Sequence, residues 1–358
     1  MMKFTASRAQ LSDIVAAASK ATGHTPETSG IQLTVDEAKL VVAATNLEMG
    51  IRARMEITDG DDGTVIVPAK LFANLIKSLE DGNVIVEVTD SGVEVTCDNG
   101  EYQMSALQGV EFPSFKDVEG TKVDLSTEAL SLIVDLVAGS ASTDITRAAL
   151  CGVRIEGSKD GNVHVVATDS YRLAHLDLGV VEGVDAGTEA TIPAKALIEA
   201  RRHVGDEVTV TLGKNAVAFR SGDIEVRSRL IVGAYPAWQA VMDVEQGDTM
   251  VVNGDELAAV VRRVSLMDAT KAPSVTLALA EGQLNVASGG VGGGSGSETI
   301  TVVSDAEFQL RLNAGYLASL IDSVGGGKVA FAVSEPLKPV FITADGLTGW
   351  QAMIMPMR

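Results

Sequence analysis

The stretch Ala167-Thr-Asp-Ser-Tyr-Arg-Leu-Ala-His-Leu176 lies near the middle of the 358-residue chain, between two runs of apolar residues. Valines precede it, and apolar residues alternate with polar ones again from Leu173 onward. This pattern predicts two strands joined by a tight polar turn at Thr168-Asp169-Ser170. A similar stretch begins at Ala44, 123 residues earlier. We therefore expect the chain to contain copies of one structural unit.

Three amphipathic helix starts support this period. Apolar residues recur at helical spacing after Ser7, Ser126 and Asn253. Each of these residues suits an N-cap, because its side chain can accept a hydrogen bond from an otherwise unpaired backbone N–H. A second helix is predicted at Pro68 and at Pro193, since a proline suits the first helical turn.

Each third of the chain also closes on a proline that follows a large apolar residue, as in Tyr235-Pro236. The sequence thus predicts an α+β fold of three repeats, each in the order helix, strands, helix, strands. We expect domains at residues 1–119, 122–242 and 249–358. The glycine-rich segment Ser288–Glu298 lacks the spacing of a phosphate-binding loop, so we interpret it as a mobile loop between two strands.

The composition is acidic and apolar, with a formal charge of −20 and 46% hydrophobic residues. Such a charge argues against nucleic-acid binding unless the positive residues are clustered. No apolar run reaches the roughly 18–20 residues of a membrane span. We therefore predict a cytoplasmic protein without membrane contact, in which Cys97 and Cys151 are buried free thiols.

No pattern typical of catalysis is found. The four histidines, His24, His164, His175 and His203, are scattered without metal-ligand spacing, and no nucleophile elbow or zinc signature is present. Thr168-Asp169-Ser170 places hydroxyls beside a carboxylate, but a turn whose side chains cap backbone N–H groups explains these residues better. The sequence predicts a protein that is not an enzyme and needs no metal or cofactor.

Lysine and arginine concentrate on the predicted helices, whereas acidic residues concentrate in turns. A solvated face of mixed charge is the simpler explanation for any single helix. If equivalent helices face one another around a ring, however, they would form a positive lumen for sequence-independent contact with a DNA backbone. The helix residues concerned are Lys70, Lys77, Lys195, Arg201, Arg202, Arg262 and Arg263.

These features together resemble the bacterial β sliding clamps, the processivity subunits of DNA polymerase III, in a bacterial or phage-encoded form. The most specific matches are Ala167-Thr-Asp-Ser-Tyr-Arg-Leu-Ala174 and the closing Met355-Pro-Met-Arg358. The resemblance implies three clamp domains per subunit, closed head-to-tail into a six-domain homodimeric ring around duplex DNA. It also implies a replicative polymerase, a clamp loader and other proteins with clamp-binding motifs as partners.

The resemblance further implies a groove for partner peptides between the second and third domains. Methionines would adapt to varied apolar ligands there, and Arg172 would donate hydrogen bonds to the peptide at the rim. Ordinary packing of a C-terminal strand is the alternative explanation for Met353 and Met355. The implied groove residues are Leu150, Thr168, Ser170, Tyr171, Arg172, Leu173, Pro236, Val241, Pro339, Met353, Met355, Pro356, Met357 and Arg358.

Some residues depart from the family pattern. Ser170-Tyr171 stands where Gly-His is common, and Gln239-Ala240 replaces a basic residue, so the hydrogen bonding of the groove is expected to differ. The first repeat has Glu48-Met49-Gly50 at the equivalent place, and no groove is expected there. Because the segment 23–26 lacks a familiar arginine, Arg147 and Lys195 are the preferred DNA contacts by resemblance.

For ring closure, we expect Leu266 and Met267 of the third domain to meet Tyr102 and Met104 of the first, although a core role within each domain explains them equally well. An acidic repeat scaffold or DNA mimic that binds only proteins is the alternative function. An α+β hydrolase is excluded by the lack of a nucleophile and base.

Overall fold

The computed structural model describes residues 2–114, 116–243, 247–290, 293–335 and 337–358. Pro336, which begins the stretch Pro336-Leu-Lys-Pro-Val340 that also resembles the family, lies outside the described residues. Two compact units are present. The first unit comprises Met1–Thr127 and Lys195–Leu230, and the second comprises Glu128–Ala194 and Ile231–Arg358.

Helices and strands follow the predicted repeat. The first repeat contains β1 (Lys3–Ser7), α1 (Arg8–Ser19), β2 (Gly30–Asp36), β3 (Lys39–Thr45), β4 (Met49–Glu56), β5 (Asp59–Asp61), β6 (Gly63–Pro68), α2 (Ala69–Ser78), β7 (Asn83–Thr89), β8 (Gly92–Cys97) and β9 (Gly100–Met104). The second contains β10 (Gly120–Val123), α3 (Thr127–Leu132), a π-turn (Ile133–Val137), 3₁₀ turns (Ala138–Ser140, Ile145–Cys151), β11 (Gly152–Gly157), β12 (Asn162–Thr168), β13 (Arg172–Val180), β14 (Glu189–Pro193), α4 (Ala194–His203), β15 (Thr209–Gly213), β16 (Ala216–Ser221) and β17 (Ile224–Arg229). The third follows the short helix α5 (Gln239–Met242) and contains β18 (Asp248–Asn253), α6 (Gly254–Ser265), β19 (Ser274–Ala280), β20 (Gln283–Gly289), β21 (Ser295–Thr301), β22 (Phe308–Asn313), α7 (Ala314–Ser323), β23 (Lys328–Val333), β24 (Val340–Ala344) and β25 (Trp350–Ile354).

The α+β class is confirmed, but each repeat opens on a strand rather than on a helix. Asn253 caps α6 as predicted, because its side chain accepts from the Glu256 N–H at 2.9 Å. Ser7 makes no side-chain capping bond, and the N–H of the next residue, Arg8, donates to the Gly82 carbonyl at 2.9 Å. Pro68 and Pro193 are the last residues of β6 and β14, not the first residues of α2 and α4.

The predicted loop at Ser288–Glu298 does join two strands, but it includes the end of β20 and the start of β21, and its residues 291 and 292 lie outside the described residues. Ser288 and Gly289 belong to β20 and pair with Gly296 and Ser295 of β21. Gly289 and Gly296 both take part in this pairing, so the glycine content alone did not predict where the loop begins and ends. Cys97 and Cys151 are free as predicted, yet each is half-buried rather than buried.

In each unit a sheet continues from one repeat into the next. The sheets of the first unit have the orders β5-β1-β7-β8-β9 and β10-β15-β16-β17-β4-β3-β2-β6. Those of the second unit have the orders β14-β11-β12-β13-β25-β24-β23-β18 and β21-β20-β19-β22. The pairing β4–β17 joins the first and second repeats, and β13–β25 joins the second and third. Both junctions pair the strand after the turn of one repeat with the last strand of the next.

A buried carboxylate anchors the junction in the first unit. Glu225 of β17 is 1% exposed and lies opposite Arg52 of β4. Its carboxylate forms ion pairs with Arg52 at 3.1 Å and Arg227 at 3.3 Å, and also with Arg220. Three cations around one buried anion compensate its desolvation, so the pairing of the two repeats depends on this residue.

Within the described ranges, no helix has both the length and the apolar character needed to cross a membrane. Over the same ranges, no three His, Cys, Asp or Glu side chains are grouped to hold a metal ion.

Candidate functional site

The turn between β12 and β13 is fixed by its own side chains. Thr168 Oγ1 donates to the Arg172 carbonyl at 2.6 Å and accepts from the Ser170 N–H at 3.1 Å. Asp169 Oδ1 accepts from the N–H groups of Tyr171 at 2.9 Å and Arg172 at 3.0 Å. Ser170 adopts a left-handed φ of 80°. The predicted turn is therefore present, and its polar residues act on the backbone rather than in catalysis.

Arg172 holds this turn against neighbouring elements. Its Nε donates to Asp169 Oδ2 at 3.1 Å, Nη1 to Ser319 Oγ at 3.1 Å, and Nη2 to the Gly139 carbonyl at 2.6 Å. The guanidinium also lies 4.6 Å from the centroid of the Tyr316 ring. The side chain is only 11% exposed and three of its donors are engaged within the protein, so that its donation to a ligand at the rim stays a prediction.

Tyr171 is the exposed member of the turn. Its side chain is 58% exposed, and its ring stacks on Tyr316 of α7 with centroids 6.4 Å apart. Burial, and then the nearby Asp169 carboxylate, raise the pKa of Tyr316. A cavity of about 600 Å³ adjoins Arg172 and is lined by residues of α6 and α7, including Tyr316 and Ser319. The two tyrosines therefore give this region an aromatic surface open to solvent.

Beside the turn lies an apolar cluster with a half-buried rim. Its buried members are Val166, Leu173, Trp238, Ala332, Phe341 and Met353, and its rim is formed by Tyr235, Val241, Met242 and Met355. Leu173 is 2% exposed and Met353 5% exposed. Packing, the alternative considered for Met353, therefore describes that residue, whereas Met355 is half-buried. The rim offers flexible methionine side chains next to the exposed Tyr171, as an adaptable apolar ligand site requires.

A network of polar side chains contacts the apolar cluster at Trp238. Glu156 Oε2 accepts from Trp238 Nε1 at 3.0 Å, and Glu156 Oε1 accepts from Arg154 Nε at 2.8 Å. His164 Nδ1 and His175 Nε2 lie 3.1 Å apart, and the His175 ring stacks on Trp238 with centroids 4.8 Å apart. Burial, and then the neighbouring His164, lower the pKa of His175 to about 4. His164 and His175, which are separated in the sequence, therefore contact each other beside Trp238 of the apolar cluster.

The other residues predicted for the groove differ in their exposure to solvent. Leu150 is buried, Pro236 and Arg358 are exposed, and Pro339, Pro356 and Met357 are half-buried. The Met355 N–H donates to the Tyr171 carbonyl at 2.8 Å, and so joins the C-terminal segment to the turn. The sequence analysis did not identify Trp238, Phe341 or Tyr316 as part of this site.

The first repeat contains the same turn, bond for bond. Thr45 Oγ1 donates to the Met49 carbonyl at 3.0 Å and accepts from the Leu47 N–H at 3.0 Å. Asn46 Oδ1 accepts from the N–H groups of Glu48 at 3.0 Å and Met49 at 2.8 Å, and Leu47 has a φ of 75°. A cavity of about 560 Å³ lies beside this turn. No groove was expected at Glu48-Met49-Gly50, yet a cavity is present there, beside the same turn built with other side chains.

The predicted DNA-facing residues differ in their surroundings. Lys70, Lys77 and Lys195 are exposed on α2 and α4, and no carboxylate of the described residues lies within ion-pair distance of them. Arg201, Arg202, Arg262 and Arg263 are also exposed; Arg202 pairs with Glu199 at 2.6 Å, Arg263 with Glu298 at 2.6 Å, and Arg262 with Asp322.

Arg147 lies at the β12–β13 turn rather than on a helix face. Its Nη1 donates to the Asp169 carbonyl at 3.0 Å and to Ser170 Oγ at 3.3 Å, and its Nε pairs with Asp144 at 3.3 Å. The structure thus gives Arg147 a role in supporting the turn, and its role as a DNA contact stays a prediction.

Of the four residues predicted for ring closure, two are exposed and two are buried or half-buried. Tyr102 of β9 is 43% exposed and Leu266, just after α6, is 75% exposed. Met104 is 6% exposed, so it belongs to the core of its own repeat, and Met267 is half-buried. Both β9 and β21 are edge strands of their sheets.

Family models match the chain in three consecutive segments. The models described as the N-terminal, central and C-terminal domains of the DNA polymerase III beta subunit match residues 2–116, 124–237 and 240–358. Together they span nearly the whole chain.

Individual relatives agree with these models. The chain is 28% identical to the beta sliding clamp of Synechocystis sp., over 92% of this chain and 90% of that protein. It is 26% identical to the beta sliding clamp of Caulobacter vibrioides over the full length of both. Among solved structures, Caulobacter crescentus pol III beta has a TM-score of 0.91 at 25% identity, covering 99% of this chain and 100% of that one. The sliding clamp of Bartonella birtlesii, bound to griselimycin, shares the fold with a TM-score of 0.94 at 23% identity, covering 100% and 99%.

Proposed function

Because this chain belongs to the DNA polymerase III beta subunit family, we propose that it is a sliding clamp, a homodimeric ring that encircles duplex DNA and tethers the replicative polymerase. The observation that carries the proposal is the ordered match of all three domain models. The predicted resemblance is confirmed, and membership of this family of non-enzymatic processivity factors means that the protein is not an enzyme. It also favours the clamp over an acidic scaffold or DNA mimic.

The clamp would work in the cytoplasm, with domains at residues 1–119, 122–242 and 249–358. A clamp loader would open the ring, since encirclement of a closed duplex requires opening. Other proteins with clamp-binding motifs would share the peptide groove with the polymerase.

The repeat symmetry suggests how the ring closes. The junctions β4–β17 and β13–β25 each pair the strand after the turn with the last strand of the following repeat. By the same rule, β21 of the third repeat would pair with β9 of the first repeat in a second copy. Both strands are sheet edges, and an open edge is a template for pairing with another chain. The exposed Tyr102 and Leu266 would lie at or near this contact, and two such contacts close a dimer.

Light scattering after size exclusion tests this closure. We expect a dimer at micromolar concentration and a monomer for Leu266→Glu, because a charge would be buried in the contact. Val180 is a matched control, since it is also exposed, at 79%; Val180→Glu should stay dimeric. A monomeric wild-type protein would contradict the ring.

For DNA, we propose that Lys70, Lys77, Lys195, Arg201, Arg202, Arg262 and Arg263 face the duplex. Their positive charge would act on phosphates without reading sequence, so the contacts would be weak, salt-sensitive and compatible with sliding. After loading by a clamp loader, the protein should stay on circular DNA and be lost when that DNA is linearised. Equal retention on linear DNA would contradict encirclement.

For the polymerase, we propose that its peptide binds over the rim formed by Met355 and Val241 and against the exposed Tyr171. Met355→Ala combined with Met357→Ala should abolish binding of a polymerase C-terminal peptide in fluorescence anisotropy, because both flexible apolar side chains are removed. The dimer should persist, as checked by light scattering. Undiminished peptide affinity would remove these residues from the site.

A further inference from the structure

The cavity beside the Thr45–Met49 turn lies at the β4–β17 junction of the first unit. Its position there corresponds to that of the apolar cluster at the β13–β25 junction of the second unit. In the second unit, Leu173 pairs with Met353, and the Met355 N–H donates to the Tyr171 carbonyl at 2.8 Å. In the first unit, Gly50 pairs with Arg227. There the Arg229 N–H donates to the Glu48 carbonyl, also at 2.8 Å. Arg227 and Arg229 therefore occupy the positions of Met353 and Met355.

These exchanges change both the shape and the charge of the site. Gly50 stands where Leu173 fills the floor of the other site, which leaves room for the cavity of about 560 Å³. Arginines replace the methionines, and Lys214 of the β15–β16 turn also lines the cavity. Arg229 and Lys214 are exposed, and neither forms an ion pair with any carboxylate of the described residues.

Apolar surface is present as well. Leu47 is 52% exposed at the tip of the turn, in a left-handed conformation that a branched side chain rarely adopts. Met49 lies beneath it, and Pro113 and Val118 line the same cavity. An exposed leucine held next to unpaired cations suits a ligand that carries an apolar side chain beside a carboxylate.

We propose that this cavity is a second peptide-binding groove, which binds an extended segment of a partner protein with an apolar side chain next to one or two carboxylates. The proposal rests on the proposed function, because the assignment of the equivalent site as a peptide groove is carried over through the repeat. A nucleic acid fits less well, since Glu48, Asp117 and Glu119 also line the cavity and would repel successive phosphates. A peptide can place its few carboxylates opposite Arg229 and Lys214 alone.

Fluorescence anisotropy with a short labelled peptide, in which two leucines flank an aspartate and a glutamate, tests the proposal. We expect saturable binding below about 1 mM. The amide counterpart, with asparagine and glutamine, should bind at least about fivefold more weakly, since it lacks the charges. Arg229→Glu should weaken the acidic peptide by a similar factor, whereas Lys122→Glu, an exposed reversal on β10 outside the cavity, should leave it unchanged.

A second variant separates the apolar contact from the charge. Leu47→Asn keeps a residue that tolerates the left-handed turn, so the fold should persist, and the acidic peptide should bind more weakly. The Met355→Ala, Met357→Ala protein should still bind the acidic peptide while it loses the polymerase peptide. If it kept both, the groove assigned under the proposed function would fail while the second groove stood.

Three results would overturn the second groove. The first is that the wild-type protein does not bind the acidic peptide. The second is that Arg229→Glu and Lys122→Glu weaken its binding equally. The third is that the variant with Met355→Ala and Met357→Ala loses the acidic peptide while Arg229→Glu binds it as the wild type does. Displacement of the peptide by a short single-stranded oligonucleotide, itself weakened by Arg229→Glu, would assign the cavity to nucleic acid instead.

Discussion

Asp169 carries two separable contributions to the β12–β13 turn, and substitution can measure each. Its Oδ1 accepts two backbone N–H bonds, and its Oδ2 accepts a charge-assisted bond from Arg172 Nε at 3.1 Å. Asp169 is 6% exposed, so solvent compensates little for a lost partner. In the first repeat, Asn46 makes the same two backbone bonds without a charge. The chain therefore contains its own reference for an uncharged turn.

Asp169→Asn should keep the backbone bonds and lose the ion pair, at a cost of about 1.5–3 kcal/mol in unfolding free energy. Asp169→Ala should lose the two backbone bonds as well, each worth about 0.5–1.5 kcal/mol, for a total of about 2.5–6 kcal/mol. In the first repeat, Asn46→Asp keeps an oxygen that can accept both backbone N–H bonds. It should therefore change the free energy of unfolding by less than about 0.5 kcal/mol.

Urea unfolding followed by tryptophan fluorescence measures the cost, because both tryptophans, Trp238 and Trp350, belong to the second unit. The midpoint should fall in the order wild type, Asp169→Asn, Asp169→Ala at constant slope. Equal destabilisation by the two substitutions would refute the separate role of the backbone bonds. A change below about 0.5 kcal/mol in both would refute the whole account of the turn.

Three further predictions concern titration and a buried charge. Because His175 has a folded pKa of about 4, below its ordinary 6.5, the unfolded state binds a proton first as the pH falls. Stability should therefore decline from about pH 6.5 to about pH 4 by roughly 2–4 kcal/mol, and His175→Gln should remove that slope in urea titrations. Hydrogen bonds from Ser274 and Thr270 lower the pKa of Asp268 to about 2. Its contribution to the free energy of unfolding is therefore complete above about pH 4 and is lost as the pH falls toward 2. Asp268→Asn should reduce the dependence of stability on pH in this range. Glu225→Gln should destabilise the first unit by about 3–5 kcal/mol in thermal circular dichroism, since three arginines lose their buried anion, and an unchanged melting temperature would contradict this.

The sequence predicts best what depends on neighbouring residues. The turn at Thr168-Asp169-Ser170, the capping Asn253 and the buried face of α1 all follow from local chemistry, and the structure contains each of them. Three copies of the same pattern strengthened each assignment, because an accident would not recur in order.

The parts that escaped prediction depend on residues far apart in the chain. The internal bonds of Arg172 were not predicted, because Gly139 and Ser319 reach it from other elements. Ser7 precedes α1 without a side-chain capping bond, and the start of the helix is joined instead to Gly82, whose carbonyl accepts from the Arg8 N–H. The cavity of the first repeat was missed because its lining comes from distant parts of the chain, such as Pro113, Lys214 and Arg229, although Thr45 and Asn46 form the turn as Thr168 and Asp169 do.

The two strand pairings between repeats also constrain how the protein is made. β13 is complete at Val180, yet its partner β25 begins at Trp350. At about 5–20 residues per second, a ribosome leaves the edge of β13 unpaired for on the order of ten to forty seconds. The edge of β4 waits for β17 over a similar length of chain. Biosynthesis therefore passes through a nascent chain with two open strand edges, and a translation stop before Trp350 would leave the edge of β13 without the strand that covers it.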